Sequence, residues 1–262
     1  MNELPRTGDR GPGKRGPLLF WALAASAAWS GPAPAAAPQL GPLYADAAHP
    51  DLSGLWVVTG GFYFAPDRSV PKLQGEYRAT YARRTEAFKA GIAIDDLTAD
   101  CLPAGMPHLL TVPYPFELMQ TPGRVTFLYE YDSVVRRVPT DGPAVLPDPD
   151  KLTYHGESSG RWEGETLVVE TTNIRGETQL DFTGIPHSDA LRVIERWHRK
   201  DAGTLENTIT LTDPKAYAEP FTVMRTYKLK PKWKIAEYVC EENNRNARDG
   251  SGRTSGGVPS EK

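Results

Sequence analysis

The chain has 262 residues, with 30 basic and 33 acidic side chains and a net charge of −3. That near-neutral balance offers no basic footprint for nucleic acid, so no nucleic-acid partner is expected. The length suits one β-rich domain with long loops, or a domain with appendages.

Residues 1–37 read as an export signal running into the start of a linker. Arg6, Arg10, Lys14 and Arg15 make a basic start, and Pro17 to Trp29 is an uncharged apolar run, too short to span a bilayer comfortably. Small residues follow, with Ala33-Pro34-Ala35 or Ala25-Ser26-Ala27 as A-x-A cleavage sites. The expected location is periplasmic or secreted. Removal of residues 1–35 leaves 26 basic against 31 acidic side chains, a balance of −5. No second apolar run approaches transmembrane length, so no integral membrane segment is expected after signal removal.

Residues 38–50 read as the linker, and a β-rich domain is predicted over 51–243. Asp51 to Val58 opens it as a strand. Pro71 to Ala90 is the one helix pattern, with Leu73, Tyr77 and Tyr81 at i, i+4, i+8 and Gly91 as its stop. Cys101 to Pro107 is dense in Pro and Gly and must be irregular. Paired strand-like runs then flank short turns: 116–120 with 125–131, 158–162 with 166–172, 191–198 with 205–211, and 221–229 with 233–240. Pro139 to Pro149 reads as a surface loop, and 244–262, nearly without apolar residues, as a disordered tail. Successive hairpins without intervening helices predict a mainly β fold, an antiparallel meander closed into a barrel with one flanking helix. An open β-sandwich is the alternative.

Asp51-Leu-Ser-Gly54-Leu-Trp56 is similar to the G-x-W opening of lipocalins and related calycin barrels, which implies a closed barrel with Trp56 closing one end. Residues 50–245 also resemble a large group of exported bacterial proteins of uncharacterised activity. The resemblance rests on Cys-Leu-Pro-Ala-Gly-Met-Pro at 101–107, Pro-Phe-Glu-Leu-Met-Gln-Thr-Pro-Gly at 115–123 and Gly-Arg-Trp-Glu-Gly-Glu-Thr-Leu-Val-Val-Glu-Thr at 160–171. Glu195-Arg196 and Glu237-Tyr-Val-Cys-Glu-Glu-Asn243 complete it. It implies no catalytic residues.

Cys101 and Cys240 are the two cysteines. In an oxidising compartment they can form a disulfide closing a long loop; two separate buried thiols are the alternative. With no clustered histidines beside them, no structural zinc or other metal site is expected, and no cofactor.

Period-2 alternation puts Glu195 on an apolar face with Leu191, Val193 and Trp197. It puts Arg225 on one with Phe221, Val223, Tyr227 and Leu229, and Glu237 on one with Trp233, Ile235 and Val239. If those faces line a barrel, Arg225 should pair with Glu195, Glu237 or both, because an unpaired buried charge costs several kcal/mol. Such a cluster is either an ion pair that fixes register or a polar anchor in an apolar pocket. Tyr129, on the face of Val125, Phe127 and Tyr131, joins Trp56, Trp197, Tyr227 and Trp233 as a candidate ligand contact. His155 and His187 fall in loops at strand ends, where binding residues gather, with Asp181 placed to orient His187 as a general base.

No H-E-x-x-H, G-x-S-x-G or Walker sequence is present. Three functions follow from these readings. The first is an exported barrel binding a small hydrophobic or aromatic molecule. The second is a cofactor-independent acid–base lyase, isomerase or hydratase using Glu195, Glu237, His155 or His187. The third is a surface interaction domain.

Overall fold

A computed structural model describes residues 49–90, 94–141 and 151–243. The export signal, most of the linker, Gly91, most of the Pro139–Pro149 loop and the 244–262 tail lie outside the described residues.

The fold is mainly β: nine antiparallel strands in a meander forming a nearly closed barrel, with a single α-helix. The strands are β1 Gly54–Val58, β2 Phe116–Thr121, β3 Arg124–Tyr129, β4 Val135–Pro139, β5 Glu157–Glu163, β6 Thr166–Thr172, β7 Arg192–Asp201, β8 Thr204–Thr212 and β9 Phe221–Leu229. Their order in the sheet is β4-β3-β2-β1-β9-β8-β7-β6-β5. Three hairpins close on two-residue turns between β-branched and aromatic runs, Pro122-Gly123, Gly164-Glu165 and Ala202-Gly203, and a 3-10 turn at Tyr131–Ser133 leads into β4.

On β3, β4, β7, β8 and β9 buried residues recur at every second position, which gives the barrel its lining. On β3 the inward set is Val125, Phe127 and Tyr129, on β7 it is Val193, Glu195 and Trp197, and on β9 it is Val223, Arg225 and Tyr227. Rings from strands far apart in sheet order meet inside. Phe127 of β3 lies 5.3 Å from Trp197 of β7, and Phe116 of β2 lies 5.3 Å from Tyr227 of β9. Side chains therefore fill the barrel at this level.

Eight antiparallel pairings in series make the two end strands, β4 and β5, run in the same direction. They are joined by side chains instead of a backbone ladder. Arg136 Nε donates to Ser158 Oγ at 2.9 Å, and a Cβ on Gly160 would come within 2.8 Å of Val138 Cγ1. Gly160 thus lets the two edges approach.

The strand expected at 233–240 does not form. Both edges of β9 are already occupied, by β1 and β8, so no ladder is open to a further strand there. The segment instead crosses the outside, with Lys230 N donating to Leu55 O at 2.8 Å, Ala236 N to Glu130 Oε2 at 2.8 Å, and Tyr238 packed 4.8 Å from Tyr131. A disulfide between Cys101 and Cys240 pins its end. Conversely Val135–Pro139, for which no strand was expected, forms β4.

The helix α1, Gly75–Lys89, starts later than Pro71 because Leu73 bridges to Tyr217. It buries no residue fully. Tyr77 and Tyr81 pack on the core, and Phe88 lies 5.8 Å from Phe182. Trp56, fully buried, donates its indole N–H to Leu52 O at 3.0 Å, with the Arg199 guanidinium 5.4 Å from its ring centre. Among the described residues no helix is long and apolar enough to cross a membrane.

Candidate functional site

A residue that sequence reasoning passed over organises the barrel interior. Arg136 points inward from β4, and its guanidinium takes Glu195 in a two-pronged pair, Nη2 to Oε1 at 2.5 Å and Nη1 to Oε2 at 3.1 Å. Nη2 also donates to Thr171 Oγ1 at 2.7 Å, and Thr171 and Ser158 hydroxyls lie 3.0 Å apart. Trp197 Nε1 donates to Glu195 Oε2 at 3.1 Å. The Phe127 ring covers the guanidinium at 5.4 Å. Arg136 and Glu195 are both buried. Burial penalises the Arg136 charge, but Glu195 outweighs it and the guanidinium is held above its ordinary value.

This arrangement explains which expectations meet and which do not. Glu195 and Tyr129 meet Arg136, Trp197 bonds Glu195, and the Tyr227 ring lies 5.1 Å from that of Trp197. The Tyr129 hydroxyl is buried beside the Arg136 guanidinium, and burial pushes its phenol well above the ordinary value. Tyr227 Oη donates to Leu110 O at 3.3 Å.

Arg225 is inside the barrel but pairs with neither carboxylate. Glu195 is already taken by Arg136, and Glu237 is exposed on the outer segment. Arg225 instead donates Nη1 to Tyr63 O and Nη2 to Gly61 O, both at 2.7 Å, and so clamps the loop after β1. Asp181 grips the same loop by accepting Phe64 N at 2.7 Å. That use of Asp181 removes it as an orienter for His187.

His187 is itself buried, not on a surface loop. Nδ1 faces Ser188 O at 2.8 Å and Nε2 faces Thr178 Oγ1 at 2.7 Å. A carbonyl only accepts, so Nδ1 carries the proton and Thr178 donates to Nε2. Burial keeps the ring neutral by lowering its pKa. Trp233 is 55% exposed, far from being a wall of the interior. Trp56 sits at the strand entry, apart from the Arg136 group.

Two of the clefts among the described residues carry a histidine. One, of about 360 Å³, lies along the β4–β5 seam and is lined by Val134 to Arg137, Pro139 and His155 to Ser158. His155 holds its Nδ1 buried and unpartnered there. Burial, then the nearby Arg136 charge, lowers its pKa to about 4. The second, of about 270 Å³, is lined by Phe62, Val112, Pro113, Tyr131 and Phe182, with Thr98, His108 and Thr111 as polar groups. His108 is nearly buried. Burial holds it below the ordinary imidazole value, against the pull of Asp96 and Asp181. Phe182 also touches Tyr63, at 5.2 Å, so the ring wall continues onto the loop that Arg225 and Asp181 hold.

Among the described residues no group of three or more His, Cys, Asp or Glu side chains could hold a metal ion. Chemically, the Arg136–Glu195 centre is a saturated pair: every Glu195 oxygen faces a donor. Fold and interior together define a nearly closed antiparallel barrel closed across its seam by a buried ion pair. No family model matches the chain, and no curated protein matches it.

Proposed function

We propose that this is an exported barrel that binds a small hydrophobic or aromatic molecule, seated in the cleft of Phe62, Tyr131 and Phe182. The observation that carries the reading is the composition of that cleft. It is an apolar, ring-lined hollow with a few polar groups, His108 foremost, at its back, which is the usual make-up of a small-molecule site. At about 270 Å³ it suits a ligand of about one ring. The walls are held from behind, by Arg225 and Asp181 on the 61–64 loop, so little ordering remains to be done on binding. Export is supported by the basic and apolar start of the chain and by the Cys101–Cys240 disulfide, a bond that persists in oxidising compartments. The resemblance to exported bacterial proteins agrees with that placement.

The acid–base alternative has less support. Glu195 faces Arg136 and the Trp197 indole, and Glu237 stands in solvent. Ligand-observed NMR with benzyl alcohol, indole and phenylacetate tests the binding reading. Saturable binding that Phe62→Ala weakens about tenfold, roughly 1.4 kcal/mol, is the expected result. Phe62 is 52% exposed, so the fold tolerates its loss. Absence of saturation with all three probes, or equal binding by the variant, defeats the proposal.

A further inference from the structure

We propose that the turn leaving β9, Lys230 to Lys234, docks the protein on an anionic phospholipid bilayer. Residues 228–236 read Lys-Leu-Lys-Pro-Lys-Trp-Lys-Ile-Ala, four cations and no anion in a chain whose net charge is −3. The structure puts the tryptophan of this run in solvent. Trp233 is 55% exposed, the Lys230 amine lies 5.2 Å from its ring centre, and a Trp233 N to Lys230 O bond of 3.0 Å closes the turn.

Lys228, Lys232 and Lys234 are exposed as well. Beside the ring is a shallow cleft of about 570 Å³, lined by Leu55, Leu229, Ile235 and Trp233, with Lys230 and Lys234 at the same wall and Glu117 as its acidic residue.

An exposed indole forgoes the burial that most large aromatic rings obtain. No strand or core contact accounts for this one, because the ladder it would join is full. An indole flanked by lysines matches the boundary between water and lipid headgroups. The ring sits at headgroup depth, the amines meet phosphates, and the mixed polar and apolar wall of the adjoining cleft, with Leu55, Leu229 and Ile235, faces the same boundary. Each lysine near an anionic surface contributes about fivefold to partitioning, so the tryptophan and several lysines are needed together. The surface is distinct from the Phe62–Phe182 cleft and does not depend on what that cleft binds.

Fluorine NMR of the full chain labelled with 5-fluorotryptophan tests this. The six tryptophans report separately, so Trp21 and Trp29 monitor the N-terminal segment while Trp233, assigned from Trp233→Phe, monitors the turn. Vesicles containing phosphatidylglycerol should shift and broaden the Trp233 signal, and high salt should restore it. The triple variant K230Q/K232Q/K234Q should weaken the response about a hundredfold, with Trp56 and Trp197 unshifted as proof of an intact barrel. A Trp233 signal indifferent to these vesicles overturns the proposal. So does an equal response to phosphatidylcholine alone, or to glycerol phosphate without a bilayer, the last marking a site for free anions.

Discussion

Arg136, on the first strand in sheet order, spans the barrel to grip Glu195 on the seventh, and both heads are buried. The contact ties opposite walls where no backbone ladder does, and it also draws in Ser158 and Thr171 from the far side of the seam.

Arg136→Met should destabilise the fold by about 3–5 kcal/mol, because it strands a carboxylate in the interior. Glu195→Leu should cost a similar amount by stranding the guanidinium. The double variant R136M/E195L should recover most of the loss, since an apolar pair needs no charge compensation. Urea unfolding midpoints measure all three, and additive losses in the double variant would contradict a coupled pair.

Acid should destabilise the protein through His155. Its folded pKa, about 4, lies below the ordinary 6.5, so between those values the unfolded chain binds the extra proton. Stability is full above about pH 6.5 and falls as pH drops toward 4, by up to ~3 kcal/mol at 1.4 kcal/mol per unit. The buried His187 and His108, also lowered, act in the same direction. Thermal midpoints across this range should drop less steeply in His155→Gln than in the parent.

Reduction of Cys101–Cys240, which are 139 residues apart, should remove about 4–5 kcal/mol by the loop-entropy model. The first structural response belongs to residues 231–239, which no strand ladder holds. Amide exchange there should rise on reduction or in Cys240→Ser while β7 and β8 stay protected, and uniform loss of protection would show the bridge supporting the barrel as a whole.

Gly160→Ala tests the seam. The new methyl would stand 2.8 Å from Val138 Cγ1, a clash that costs about 1–3 kcal/mol. Val138→Ala in the same chain should relieve part of it, and denaturant midpoints of the two variants decide the point.

Much of the architecture is legible because period-2 alternation is loud where β-branched and aromatic residues line a wall, as in β3, β7 and β9. β4 is quieter. In Val135-Arg-Arg-Val138 the inward residues are Arg136 and Val138 while Val135 is 43% exposed, so polarity alone does not say which arginine enters. That hid the partner of Glu195 and left Arg225 as the apparent one. The opposite error arises at 233–240, where alternation is present but no sheet edge remains. Pattern describes what a segment can do, and edge supply decides whether it does. The cleft of Phe62, His108 and Phe182 assembles from loops distant in sequence, and spacing carries no trace of it.

A tube assembled from an odd number of alternating staves always finishes with two neighbours laid the same way. In this protein that mismatch falls between β4 and β5, so one line along the wall is stitched by side chains alone. Along that line the cylinder is held by reach instead of by adjacency, and a side chain lost there is felt as far away as β7.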